Sequence, residues 1–423
     1  MKEINIKIDT GINTDINIII NNINNNFTIE CKNNFDNINI NYDITSNMNK
    51  IKNIINAYPH INKYNVTFSK LISKKYIDVI ITKLHNILYC YYPNNNYIIL
   101  NNVSKESHKL LDELTKNKDI IMDPNKTPDT YLKYVLSRLP KQYKADVFKI
   151  KKTSTKMFPL TQCVSMGSQY NAYFVHIKPK HIKPNGMNIY LVGKAVTYDS
   201  GGMNLKIKDM ENMKIDMTGS SIILSVLNLL QDTSHNIHLL IPIVENMIGN
   251  TAIKPGMVIK SMGGKMVEIT DTDAEGRLCI ADAIEYILLY LIKEVKNNLV
   301  IDIATLTGNA LHITNNISSL ITGNEASIKY INTIIKIGDE IGEYVDYLKL
   351  RKEYLDYLKS NVADVVNINK EVKSDCIMGG VFINYFMNDL IPFIHIDLGE
   401  STFVDNIATS YGINLLYTFI SSL

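Results

Sequence analysis

Residues 299–305, L-V-I-D-I-A-T, form a near-continuous apolar run. A half-exposed strand would alternate apolar and polar positions, so a run like this belongs inside a sheet covered on both faces. Around it the chain repeats strand, loop and helix. Strands are predicted at 172–177 and 188–192, a helix opening at Asp216 and running to residue 230, and a strand at 238–244. A strand at 266–270 leads through an acidic loop into a helix from 278 to about 295. A helical region then extends to about Lys359, followed by a helix near 381–388, a strand at 393–397 and a final helix from about Gly412. This alternation predicts an α/β architecture, its central sheet mostly buried and flanked by helices.

The first part of the chain reads differently. Residues 1–103 alternate β-type runs (16–20, 27–31, 87–92, 97–101) with Asn-rich turns, and 71–84 carries apolar residues at helical spacing. That predicts a small N-terminal α/β domain. An amphipathic helix over 104–121 and the break D-P-N-K-T-P at 123–128 make a linker, since two prolines disfavour a continuous helix. The larger domain, 129–423, is expected to hold the chemistry. Runs such as Asn24–Asn26 and Asn94–Asn96 read as loop residues of a chain rich in Asn, Ile, Lys and Tyr.

Charge and cysteine usage narrow the function classes. With 44 basic and 42 acidic residues, nothing suggests an electrostatic nucleic-acid binder. Cys31, Cys90, Cys163, Cys279 and Cys376 have no C-x-x-C spacing, which argues against a zinc knuckle or disulfide framework and for a reducing compartment. Apolar stretches are too interrupted to span a bilayer, and no early segment looks like a signal peptide. The expectation is a soluble cytoplasmic protein.

Four clusters fall at predicted strand ends or helix starts, where open sheets usually form ligand sites. Lys194 and Asp199 follow the 188–192 strand, with Gly201 and Gly202 able to turn tightly. Lys206 comes shortly after. Asp216 sits at the predicted helix start, where a carboxylate is also an ordinary N-terminal acid. The fourth cluster, within 266–293, holds Asp273, Glu275 and Arg277 two residues apart, a spacing that puts side chains on one face of an extended backbone. Three Asp and one Glu suffice for two divalent cations, with Asp199 and Glu275 as candidate bridges. A lysine would ligate only as the neutral amine, which burial and adjacent cations favour. None of the nine histidines lies in these clusters, and His176, His238, His312 and His395 read as packed residues in or beside strands. A calcium loop fits Asp271, Asp273, Glu275, Gly276 and Asp282 loosely, but it requires a preceding helix, whereas here a Gly-Gly turn and a strand precede it.

The motifs G-K-A-V-T-Y-D-S-G-G-M-N-L-K, M-K-I-D-M-T-G-S-S, D-T-D-A-E-G-R-L and A-T-L-T-G, in that order, resemble those of the leucyl aminopeptidase (cytosol aminopeptidase) family of dinuclear metallopeptidases. The resemblance covers about 116–423 and includes A-T-S-Y-G-I-N-L-L near the end. The N-terminal region matches no motif and is shorter than that family's usual domain. By position, the resemblance implies one metal on Asp199, Asp273 and Glu275 and a second on Lys194, Asp199, Asp216 and Glu275. Zinc or manganese are the ions it favours. It further implies that Lys206 polarises the scissile carbonyl, that Arg277 holds a bicarbonate acting as base, and that Met213, Thr305 and Gly308 line the pocket for the first side chain. Peptides with a free N-terminus are the implied substrates, and a homo-hexamer the implied assembly. The alternative is an altered member with a binding or structural role, which would tolerate loss of ligands; here every charged position is filled. Two departures stand out. Asp271 replaces the family's Asn beside the pocket, which predicts altered first-residue preference or metal affinity. The segment from Lys206 to Asp216 is also one residue shorter than usual.

Overall fold

The computed structural model describes residues 3–9, 19–23, 26–32, 52, 63–68, 74–89, 97–101, 103–153, 156–315, 317–399 and 401–423. Asn24, Asn25, Asn94–Asn96, Cys90 and the ends of three expected elements (16–18, 71–73 and 90–92) lie outside them. The chain divides into two compact units, one of residues 1–119 with 337–343 and one of 120–336 with 344–423.

In the first unit, strands β1 (Glu3–Asp9), β2 (Ile19–Ile23), β3 (Asn26–Lys32), β4 (Lys63–Phe68) and β5 (Tyr97–Asn101) form a sheet in the order β2-β3-β1-β4-β5. Helix α1 runs Lys74–Leu88. It takes in Ile87 and Leu88, the start of the strand expected over 87–92. The spacing Ile80, Leu84, Ile87 keeps these apolar residues on one helical stripe and decides against an extended backbone. Helix α2 is Lys105–Met122.

The second unit is built on a nine-stranded mixed sheet. Helix α3 (Pro128–Ser137) starts on a proline, with the Thr127 hydroxyl accepting from the Thr130 amide. In chain order the strands and helices that follow are β6 (Tyr143–Ile150), α4 (Pro159–Ser165), β7 (Ala172–Pro179), β8 (Asn188–Gly193), β9 (Ala195–Asp199), α5 (Thr218–Leu229) and β10 (Asn236–Asn246). Next come β11 (Met257–Lys260), β12 (Met266–Ile269), α6 (Gly276–Tyr286), β13 (Asn298–Ala304), α7 (Ala310–Thr314), β14 (Ser318–Gly323) and α8 (Ile328–Ile341). The last are β15 (Tyr344–Tyr347), β16 (Val365–Val366), α9 (Asp375–Tyr385), β17 (Phe393–Asp397), the short pair β18 (Phe403–Val404) and β19 (Ile407–Ala408), and α10 (Ile413–Ser421).

The main sheet runs β15-β14-β17-β13-β8-β10-β7-β6, with β9 also paired to β10. Strands β17, β13, β8 and β10 are mutually parallel at its centre, and every residue of β10, β13 and β17 is buried. Burial on both faces explains the near-continuous apolar run at 299–305. Strands β11, β12 and β16 form a separate small sheet.

Two readings give way here. The stretch expected to be helical up to Lys359 contains β14 and β15, which extend the sheet beyond β17. Its S-S-L-I-T run carries the β-propensity that a helical reading overlooked. Asp216 does not open the helix; it caps the 3₁₀ turn Met210–Ile215, and α5 begins at Thr218. His176, His238 and His395 are buried in strands, whereas His312 is exposed on the short helix α7. Cys163, Cys279 and Cys376 are buried free thiols. Among the described residues, no helix is long and apolar enough to cross a membrane.

Candidate metal and active site

The parallel strands deliver the charged residues at their carboxyl ends. Lys194 follows β8, Asp199 ends β9 and Thr305 follows β13. The turn after β9 uses Gly201 and Gly202, both at positive φ, and aims the Gly201 amide back at Asp199 Oδ1, 2.9 Å away. The loop between β12 and α6 brings in Asp271, Asp273 and Glu275, and α6 begins at Gly276. All eleven residues singled out from the sequence line one cavity of about 640 Å³: Lys194, Asp199, Lys206, Met213, Asp216, Asp271, Asp273, Glu275, Arg277, Thr305 and Gly308.

Inside it the charges interleave. The Lys194 ammonium lies 2.7 Å from Asp216 Oδ1 and 2.8 Å from Glu275 Oε1, and donates to the Thr305 carbonyl at 3.0 Å. Lys206 lies 2.8 Å from Asp199 Oδ2 and 2.5 Å from Asp273 Oδ1. One carboxylate oxygen from each of Asp199, Asp273 and Glu275 falls within 4.8 Å of the others. Glu275 Oε2 and Asp216 Oδ2 are buried with no hydrogen-bond partner. Buried carboxylate oxygens are costly in that state unless a cation or donor reaches them, so the donor set fits divalent metal ions. The carboxylates crowd one another. Burial, then the Asp199 and Glu275 charges, push the Asp273 carboxyl up to about 7, and burial raises Asp216 well above the usual carboxylate range. Burial alone would lower the two lysines, but the surrounding carboxylates outweigh it and hold both above their ordinary value.

Several residues that fix this geometry have no motif to betray them. Asn246 donates to Asp199 Oδ1 at 2.8 Å and to the Thr272 carbonyl at 3.0 Å, tying β10 to the acidic loop. Asn367 donates to the carbonyls of Asp271 and Ala274 and accepts from the Thr270 amide, bracing the loop from the other side. Asp271 accepts the Asp273 amide at 2.9 Å through Oδ1 and pairs with Lys370 at 2.8 Å through Oδ2. Arg277, 1% exposed, donates to the Asn367 carbonyl at 3.0 Å and to both oxygens of Asp375 at 3.0 and 3.1 Å. The guanidinium expected to hold a bicarbonate therefore holds a carboxylate of its own chain. Asp375, in the first turn of α9, also lines the cavity. The calcium-loop reading fails because Asp282 points elsewhere. It is fully buried on α6 and accepts the Thr161 amide at 2.6 Å.

A sequence model of the cytosol aminopeptidase family catalytic domain matches residues 111–417. The chain belongs to the cytosol aminopeptidase family. Among relatives, a probable cytosol aminopeptidase of Prochlorococcus marinus subsp. pastoris is 35% identical over 272 residues, 61% of this chain and 54% of that protein. Another, of Protochlamydia amoebophila, is 29% identical over 377 residues, 85% of this chain and 72% of that protein. The chain thus spans about half the length of the first of these relatives. Among solved structures, Caenorhabditis elegans leucine aminopeptidase superposes with a TM-score of 0.81 at 23% identity, covering 93% of this chain and 84% of that one. The bottromycin maturation enzyme BotP in complex with Mn gives 0.81 at 18% identity, covering 100% and 99%. At such identities these two establish the fold.

Proposed function

We propose that this chain is a leucyl-type metalloaminopeptidase that removes N-terminal residues from peptides with a free amine. The observation that carries this reading is the convergence of four carboxylates, three of them buried and Asp273 half-buried, with two lysines in one cavity, Glu275 Oε2 and Asp216 Oδ2 lacking hydrogen-bond partners. Asp199, Asp273 and Glu275 would hold one divalent ion, and Lys194, Asp199, Asp216 and Glu275 a second, with zinc or manganese expected. Bound there, such ions lower the pKa of a water toward neutrality and polarise a carbonyl.

The chain's own groups do the rest. Lys206, whose ammonium already lies among the acids, donates to the scissile carbonyl oxygen as negative charge develops on it. Asn246 and the Gly201 amide hold Asp199 in place. Met213, Thr305 and Gly308 receive the first side chain; a Cβ at Gly308 would meet nothing within 4 Å, which leaves that wall open to a ligand. Net charge gives no footing for nucleic acid. A cytoplasmic homo-hexamer is the expected form, to be checked by light scattering on the purified chain.

The test is amino-acid release from an unblocked peptide and its N-acetylated counterpart, with and without chelator, alongside metal analysis. Cleavage of the unblocked peptide alone, abolished by chelation, is the expected result. Hydrolysis of the blocked peptide, or indifference to chelator, would overturn the reading. No hydrolysis at all would favour a binding role.

A further inference from the structure

We propose that Asp375 is the general base of the reaction, a carboxylate built into the chain where the resemblance implied a bound bicarbonate; the proposal rests on the aminopeptidase reading above. Arg277 is 1% exposed, and its Nε is buried without a hydrogen-bond partner. A small anion in the cavity cannot reach the guanidinium except along the edge that Asp375 already occupies with both oxygens. Helix α9 closes over that edge, so that a Cβ at Gly379 would lie 3.7 Å from Arg277 Nη2. Bicarbonate therefore does not fit unless Asp375 leaves.

What faces the cavity is Asp375 itself, whose side chain keeps 19% exposure with the guanidinium behind it. A carboxylate has about four lone-pair positions, and the contacts to Nη2 use two, which leaves acceptor capacity toward the attacking water. Both oxygens lie on one guanidinium nitrogen, Nη2, of an arginine whose Nη1 is braced in turn by the Asn367 carbonyl, which restrains the carboxylate's orientation. In the step assigned to it, Asp375 takes a proton from the attacking water while the oxygen bonds to the scissile carbonyl carbon. As the C–N bond breaks, the same proton passes to the leaving nitrogen. The carboxylate is regenerated, and the products are the free amino acid and the shortened peptide.

The experiment uses the full chain reconstituted with Zn²⁺, an unblocked aminoacyl amide, and buffers either depleted of carbon dioxide or supplied with bicarbonate. Wild-type kcat is expected to be the same in both. Asp375→Asn keeps the side chain's size and a contact to Arg277 but cannot take the proton. Its kcat should fall by about 10²–10⁴-fold with KM within about threefold, the usual worth of a general base. Asp375→Gly should lose as much and regain at least about tenfold on adding bicarbonate. Broadening of the ¹³C resonance of labelled bicarbonate should appear with Asp375→Gly and be absent with wild type. Circular dichroism and melting confirm that each variant is folded. Bicarbonate that activates wild type or binds to it, or an Asp375→Asn kcat within threefold of wild type, would overturn the proposal. A metal-loaded wild type that cleaves no unblocked substrate would overturn the aminopeptidase reading and the base role with it; the labelled-bicarbonate comparison would still decide whether Asp375 fills the anion position.

Discussion

Asp271 holds the Asp273 amide with one oxygen and the Lys370 ammonium with the other, so its extra charge relative to an asparagine is already partnered. Asp271→Asn keeps an oxygen for the amide but removes a negative charge from the cavity wall and releases the neighbouring Lys370. Substrates whose first residue is Lys or Arg should then show a KM raised several-fold relative to Leu, at similar kcat. Steady-state kinetics over such a panel checks this, and a superimposable profile would remove Asp271 from specificity. Lys206 makes a different prediction. Its ammonium serves the transition state more than the ground state, so Lys206→Ala should lower kcat by roughly 10²–10³-fold, the usual effect of losing one oxyanion donor, and change KM far less. A loss expressed mainly in KM would recast Lys206 as a binding group.

Helix α6 links the site to the core, and its start and its middle do different work. At its start, Gly276 lets the backbone pass Lys194 so closely that a Cβ would sit 2.4 Å from Lys194 Cε. Gly276→Ala must therefore push Lys194 away from Asp216 and Glu275. We expect bound metal, measured by elemental analysis, to fall well below the wild-type stoichiometry while circular dichroism stays native. One turn and a half on, Asp282 is wholly enclosed, and burial pushes its carboxyl up to about 8 from an ordinary 3.8 despite the Thr161 amide. The folded state thus prefers the protonated form more than the unfolded state does. The stability that Asp282 contributes falls as pH rises from about 4 through about 8. Asp282→Asn has no charge to bury and still offers an acceptor to Thr161. Its melting temperature should exceed wild type by several degrees at pH 8, with the gap closing toward pH 5. Parallel melting curves over that range would expose the opposite slope if burial of this carboxyl were not the cause.

At the scale of the whole molecule, the sheet centre was legible because strands buried on both faces announce themselves, as 299–305 did. The edge was not: β14 and β15 are short and sit among helices, so their period is hard to read locally. The charged residues of the cavity were legible because they lie within motifs. Asn246, Asn367 and Asp375 were not, since an amide that braces a loop from another strand, or an acid in a helix's first turn, has no local signature. Assembled, the motif residues place four carboxylates against two ammonium groups around the candidate metal position, two negative charges in excess there, in a cavity that Asp209, Asp271, Asp375, Asp405 and Arg277 also line. Without cations the excess is relieved by protons, on Asp216, raised well above the usual range by burial, and on Asp273, pushed up to about 7 by burial and then by Asp199 and Glu275. The Asp273 pKa lies above 3.8 in the folded state, so the stability this group contributes to the metal-free protein is lost as pH rises from about 4 through about 7. Bound divalent ions replace those protons and add their own binding free energy to the folded state. Chelator should accordingly lower the melting temperature by several degrees at pH 8 and by less at pH 6, with recovery on adding Mn²⁺ or Zn²⁺. Scanning fluorimetry at the two pH values measures both the drop and its pH dependence. A melting temperature that ignores chelator and added metal at pH 8 would mean that this cavity balances its charge without metal.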